Sequence, residues 1–359
     1  MGERGPKGRF SNVSCTNREC RKYGVTGEEN IVSNGTCRSR GDTVQRFFCK
    51  ECKHYFNANT DTAYDGLRTD TDRIEYALKC LNDGMGIRAT ARIVGVTPNT
   101  VQRWRRRAAD QSAAVSESFE KELAPESVQF DEMMGVVKKN VNYRLDRFTS
   151  EGTWVWTCFD PCSKYLMGMD PSSRGMPAGK IFVNKMLAKL KDKFEPVYMT
   201  DGYTVYNRAF AAHFGEWRSG HRTPQGKISK SRKFFWRDDF NYGQVVKTRE
   251  RMRLKSVEYI TVSGSVPDDL FNTAGIERMN LTIRERMARL KRRCTTFSKS
   301  LDDLIGSSDL FRAVYNFCRP HMSLGIAGKK VTPAMAMGLT DRVWSIRELM
   351  TFPYRQNIR

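Results

Sequence analysis

Asp131 and Asp201 close two short runs of strand-forming residues, SVQFDEM and PVYMTDGY, and Glu277 lies in a helical run far downstream, NTAGIERMNLTIRERMARLKRRCTTFSKS. Three carboxylates with no histidine beside them are hard oxygen ligands, suited to Mg²⁺ or Mn²⁺ rather than zinc. Two such ions can activate an attacking oxygen and stabilise a leaving oxygen in an in-line phosphodiester displacement. The nucleophile would be water first and then a DNA 3′-hydroxyl. Arg284 follows Glu277 by two helical turns, roughly 20° out of alignment, where it could clamp a phosphate near the ions. Glu132, Asp160 and Asp170 are rivals for places in such a site.

A second ligand set stands near the N-terminus. Cys15 and Cys20, then Cys49 and Cys52, form two short-spaced pairs separated by a hairpin-sized segment, which reads as a four-thiolate zinc ribbon. So small a module buries too little apolar surface to fold alone, and the metal would supply much of its stability. Cys37 and His54 are possible substitute ligands. Cys80, Cys158, Cys162, Cys294 and Cys318 read as buried thiols. Ten cysteines behind an N-terminus, MGERGPKGRF, that lacks an apolar export segment point to a reducing compartment and a cytoplasmic, DNA-associated (nucleoid) location. His213, His221 and His321 have neither a nucleophile nor an orienting partner nearby and receive no role.

The elements that must position these residues fall into blocks. Residues 1–60 hold the ribbon. Residues 66–110 read as three helices with tight connections. The first ends at Asp83-Gly84, the second runs from Arg88 to Val94 and stops at Gly95, and the third opens with Thr97 as cap and Pro98 in its first turn. That order is the helix-turn-helix pattern, whose last helix enters the major groove. Asn99, Thr100, Gln102 and Arg103 would face bases, and Arg105, Arg106 and Arg107 would hold phosphates. Residues 111–126 are polar and Ser/Ala-rich, the composition of a linker. From 127 to 320 strands and helices alternate in an α/β order. Within that block, residues 215–256 interleave aromatics such as Trp217, Phe234 and Trp236 with Lys227, Lys230, Arg232, Arg249 and other cations, which suits a surface that grips nucleic acid. Residues 321–359 form a tail with a last helix near Trp344 to Met350.

The charge agrees with such a partner. Lys and Arg number 61 against 40 Asp and Glu, a formal charge of +21, which suits a polyanion. No apolar run approaches the roughly 20 residues that span a bilayer, and the basic residues do not form one juxtamembrane cluster, so no membrane partner is expected.

The segments GIRATARIVGVTPNTVQRW at 86–104, DEM at 131–133, MTDGY at 199–203 and IERMNLTIRERMARLKRRCTTFSKS at 276–300 together resemble transposases of the insertion-sequence-one family, over about Cys15 to Phe317. The resemblance implies a zinc ribbon, a helix-turn-helix and a ribonuclease-H-like catalytic domain, a mixed sheet flanked by helices, with an Asp, Asp, Glu metal site. It assigns the acids to Asp131, Asp201 and Glu277 and the basic residue after the glutamate to Arg284. It further implies recognition of terminal inverted repeats, cleavage at the element ends, joining of 3′-hydroxyls to target DNA, and a homodimer or higher oligomer to hold two ends. A catalytically silent DNA-binding regulator and a metal-dependent nuclease or resolvase of the same fold are the alternatives. The sequence departs from the family pattern at Met134, which replaces a tryptophan after DEM, and at Tyr203, which replaces the tryptophan after the second Asp-Gly. The first cysteine pair is wider, and the interval from Asp201 to Glu277 is longer, which marks 215–256 as an insertion.

Overall fold

The computed structural model describes residues 10, 13–39, 42–137, 153–219, 231–251, 253–292, 295–325 and 328–352. His221, Lys227, Lys230 and Cys294 lie outside them. Strands β1 (Ile31–Ser39), β2 (Asp42–Cys49) and β3 (Tyr55–Asn57) form a three-stranded antiparallel sheet, with Phe47 and Phe56 against the cysteines in a small core of their own.

Helices α1 (Thr71–Asn82), α2 (Ile87–Val94) and α3 (Pro98–Phe119) follow. Their ends have local causes. The Asp70 side chain accepts from the Arg73 N–H to cap α1, Gly95 ends α2 in the left-handed region at φ 69°, and Thr97 caps α3 through the Thr100 N–H. Arg73 adds a second stop by donating to the carbonyls of Val94 and Gly95 at 2.7 and 2.8 Å. The three helix boundaries expected from sequence are found. The linker is not: α3 runs on through Phe119. Ser112, Val115 and Ser116 are buried at helical spacing, and such small side chains let helices approach closely, which composition alone reads as a flexible tether.

A six-stranded mixed sheet is the centre of the molecule, in the order β11-β10-β7-β4-β5-β6. Here β4 is Ser127–Met134, β5 Trp154–Phe159, β6 Leu166–Ser172, β7 Val197–Asp201, β10 Asn241–Glu250 and β11 Arg253–Ser263. The first three form an antiparallel meander; β7 lies parallel to β4, and β10 parallel to β7. Helices α4 (Met176–Leu187) and α5 (Thr204–Phe214) and the small hairpin β8 (Gly215–Arg218) and β9 (Lys233–Trp236) fill the crossovers. Strand alternation sorts the two faces. Phe130 meets Phe182 of α4 and Phe210 of α5, whereas Met133 joins the core beneath α6 (Ala274–Arg286) and α7 (Leu301–Ala313). The stretch 215–256, expected as a basic insertion, is therefore not one continuous basic surface. Phe240, Tyr242 and Val245 are buried in the sheet, and exposed cations stand on the β8–β9 hairpin, at Arg218 and Lys233, and on the outer half of β10 from Lys247 onward.

The chain ends in α8 (Pro333–Ala336) and α9 (Ile346–Thr351). The last helix returns to the N-terminal helices: Gln111 donates to the carbonyls of Leu349 and Phe352, and Arg347 pairs with Asp72 and Glu75. A buried ionic cluster closes the junction. Glu120, just after α3, accepts from Arg312 of α7, from Lys189 at 2.6 Å and from the Tyr165 hydroxyl at 3.0 Å. Burial would raise its pKa, but the two cations hold the carboxylate below its usual range.

Candidate active site and nucleic-acid interface

The sheet sends its chain in opposite directions from β4: onward to β5 on one side, and back through a crossover to β7 on the other. Such a switch point opens a crevice at the carboxyl ends of the parallel strands, where α/β folds place ligands. Asp131 lies in the second half of β4 and Asp201 is the last residue of β7. The β4–β7 ladder ends at the pair Gln129 and Met199, and two further residues on each strand bring Asp131 level with Asp201. Both point to the face covered by α6.

Gln129 fixes that helix. Its side-chain amide donates to the Asn272 carbonyl at 2.9 Å and its oxygen accepts from the Ile276 N–H at 2.8 Å. Gly275 makes the approach possible, since a β-carbon there would lie 2.8 Å from the Gln129 oxygen. With Ile276, Met279 and Ile283 buried, Glu277, Asn280 and Arg284 share a neighbouring stripe and line a crevice of about 720 Å³ with Asp131. Asn280 donates to Asp131 Oδ2 at 2.7 Å, and the Thr157 hydroxyl, 3.2 Å from Asn280 Oδ1, donates to the Asp131 carbonyl at 3.0 Å. Glu277 pairs with Lys247 of β10 and accepts from the Thr273 hydroxyl at 2.9 Å.

The electrostatics are those of crowded acids. Burial first, and then the charges of Glu132, Asp201 and Glu277, push the Asp131 carboxyl up to about 7. Asp201 is raised by burial against the opposing Tyr203 N–H and Arg174. Burial would also raise Glu277, but the Lys247 and Thr273 contacts bring it below the usual value. Arg284 is lowered by burial and by Arg292. Crowded carboxylates with raised pKa values are a donor set that a hard cation would relieve, and in that sense Asp131 and Asp201 fit Mg²⁺ or Mn²⁺. Among the described residues, only the four cysteines gather three or more candidate ligand atoms within 4.8 Å of one another. Glu277, tied to Lys247, stands apart from so tight a cluster.

The rival acids have other partners. Glu132 points to the opposite face, where Arg174 at 2.8 Å and the Tyr206 hydroxyl at 2.9 Å hold it. Asp160 caps its own turn through the Cys162 and Ser163 N–H groups, and Asp170 lies 3.6 Å from Lys185. Sequence reasoning missed Asn280 and Lys247. The first carried a signal in its spacing of three from Glu277; the second was one cation among many.

Cys15, Cys20, Cys49 and Cys52 come together, with Sγ separations of 3.5 Å for Cys15 and Cys52 and 3.9 Å for Cys20 and Cys49. Tetrahedral zinc with bonds of about 2.3 Å needs sulfur separations of about 3.8 Å, so this cluster could hold structural zinc. Asn30 and the Lys22 N–H donate to Cys49 and Cys20 sulfurs, as groups around a thiolate site do. Cys37 and His54 are outside the cluster, the latter stacked on Phe56. Cys158 and Cys80 are buried as expected, but Cys162 is exposed because its turn faces outward.

The third helix divides its residues between two tasks. Asn99, Arg103 and Arg106 are exposed and recur at spacings of four and three, one open face; Thr100 is half-buried. Arg105 departs from expectation. It is buried and bonds Asp303 of α7 at 2.6 Å, because its position faces inward with Trp104 and Ala108, and its pKa falls to about 10 through burial. Gln102 donates to the same carboxylate at 2.7 Å, and Arg107 is drawn to the Asp65 carbonyl. Arg105 and Gln102 tie α3 to α7 and Arg107 ties it to the turn before α1, rather than facing a groove, and the exposed Arg106 also reaches Asp303 at 3.2 Å.

Residues 68–114 match the sequence profile of the homeodomain-like domain, so the chain carries such a domain. No curated protein matches the chain. Solved structures with some likeness include the Mos1 transposase paired-end complex with left transposon end, at 11% identity over 38% of this chain and 56% of that one, with a TM-score of 0.17. The piggyBac transposase synaptic complex with hairpin DNA shares 12% identity over 77% of this chain and 57% of that one, with a TM-score of 0.26. This chain spans just over half the length of each. No helix among the described residues is long and apolar enough to cross a membrane.

Proposed function

We propose that the protein is a DNA transposase of the insertion-sequence-one kind. On this reading the homeodomain-like segment binds terminal repeats, and Asp131, Asp201 and Glu277 serve cleavage and 3′-hydroxyl joining. The observation that carries it is the row of Asp131 and Asp201 at the switch point of a mixed sheet, facing a helix that presents Glu277, Asn280 and Arg284. A mixed sheet with helices on both faces supports the ribonuclease-H-like reading, and the net charge supports a DNA partner.

Asp131, Asp201 and Glu277 would hold the Mg²⁺ or Mn²⁺ ions, which when bound supply charge neutralisation at both oxygens of the displacement. Asn280 fixes the Asp131 carboxylate through Oδ2, and the Glu132 N–H holds Oδ1 at 2.8 Å. Arg284 supplies a positive charge on the same wall for a non-reacting phosphate oxygen. Lys247 balances Glu277 until substrate and ions arrive.

The test uses purified protein, Mg²⁺ and labelled DNA carrying the inverted repeats that flank the gene. Strand transfer is expected, with Asp131→Asn and Asp201→Asn losing at least about 10³-fold in rate while DNA affinity is kept. Cleavage without joining would favour a nuclease, and salt-sensitive binding without cleavage a silent regulator.

A further inference from the structure

The edge of the central sheet offers a second surface beside the acids. Strands β10 and β11 form an antiparallel ribbon at that edge. In register, Asp201 pairs with Val245 and Val245 with Tyr259, so these three residues form a row across three strands on the face of α6. Strands lie about 4.8 Å apart, which puts the Tyr259 backbone roughly 10 Å from that of Asp201. Lys247 and Arg249 stand on the same face of β10, and both charges act on Glu277.

Tyr259 is 61% exposed, with one edge against Phe271 at a ring separation of 6.0 Å. Gly243 makes that support possible, because a β-carbon there would lie 2.9 Å from the Phe271 ring. A propped aromatic on the same face as the exposed Arg249, with an acid crevice about three stacked bases away at 3.4 Å each, matches the stacking-and-phosphate pattern of single-strand binding. A duplex offers no free base face to such a ring.

We propose that this face of the β10–β11 ribbon binds a single strand of DNA, with a base stacked on Tyr259 and a phosphate on Arg249, so that the strand entering the acid crevice is unpaired. The proposal rests on the reading of the acids as the cutting site. It is charge complementarity, and not the exposed apolar area alone, that selects DNA over a second copy of this chain.

The experiment measures fluorescence anisotropy of a labelled oligo(dT) and of a labelled blunt-ended two-strand duplex over a salt series, with the full chain. Tyr259→Ala should weaken oligo(dT) binding about thirtyfold, the middle of the range for one stacked base, with Tyr259→Phe retaining it. Arg249→Ala should reduce the single-strand salt slope by about 0.7. Arg103→Ala with Arg106→Ala should weaken the duplex and spare oligo(dT). An unchanged oligo(dT) affinity in Tyr259→Ala overturns the proposal, as does an equal loss for duplex and single strand, or a change of oligomeric state alone. If Asp131→Asn still cuts while Tyr259→Ala loses oligo(dT), the reading of the acids fails and the ribbon site stands. The converse pattern leaves the acids and removes the ribbon.

Discussion

Asp131 carries the clearest consequence of crowding. Its carboxyl is pushed up to about 7 by burial and neighbouring acids, so the folded chain binds its proton more tightly than the unfolded chain does. That contribution to stability is fully present below the ordinary carboxylate value of about 4 and is lost as pH rises through about 7. Asp131→Asn, neutral throughout, should therefore raise the melting temperature in metal-free buffer at pH 8, with the difference shrinking toward zero as pH falls to about 4. A difference independent of pH would show that the carboxylate bears no such penalty. The three acids were legible in the sequence only as candidates, three among 40 that the family resemblance singles out. Asn280 and Lys247 were not, since their roles depend on which strand lies beside which helix.

At the scale of elements, α3 was half legible. Its start was written in Thr97 and Pro98, but its second half hides in small residues whose burial depends on α7. Glu120, at its end, meets Arg312 and Lys189 with almost no water access. Removing the carboxylate strands two buried cations, so Glu120→Ala should cost about 3–5 kcal/mol, measured by urea unfolding. Loss of under 1 kcal/mol would mean that the cluster is already open to solvent. The ribbon follows a different logic, because its small core of Phe47, Phe56 and four thiols has little to fall back on. Cys49→Ser should lower bound zinc from one equivalent to a small fraction by elemental analysis and expose β1–β3 to protease, with the central sheet unchanged in far-UV dichroism. The wide first cysteine pair did not prevent the cluster, since the Asn17 carbonyl accepts the Cys20 N–H at 3.0 Å and folds the extra residues into a turn.

Across the whole molecule, the helices that carry the homeodomain-like profile are not a tethered module. One continuous apolar core runs from Tyr64 and Ile74 through Trp104 and Val115 to Phe317, Trp344 and Leu349. The tail, to which sequence reading gave no chemistry, supplies part of that core: Trp344 packs on Phe119 and Phe317, and the Met350 carbonyl accepts from the Ala63 N–H at 3.1 Å. Ending the chain at Val343 would remove the buried Trp344, Ile346, Leu349 and Met350, worth roughly 6–12 kcal/mol as an upper bound on apolar burial. Total stabilities of about 5–15 kcal/mol leave little beyond that, so the shortened chain should expose α1 and α3 and bind hydrophobic dye. Duplex affinity should fall with it, although none of the removed residues lies on the open face of Asn99, Arg103 and Arg106. A shortened chain that melts in one cooperative transition near the full-length temperature and keeps its duplex affinity would instead show that the helix-turn-helix stands without the tail.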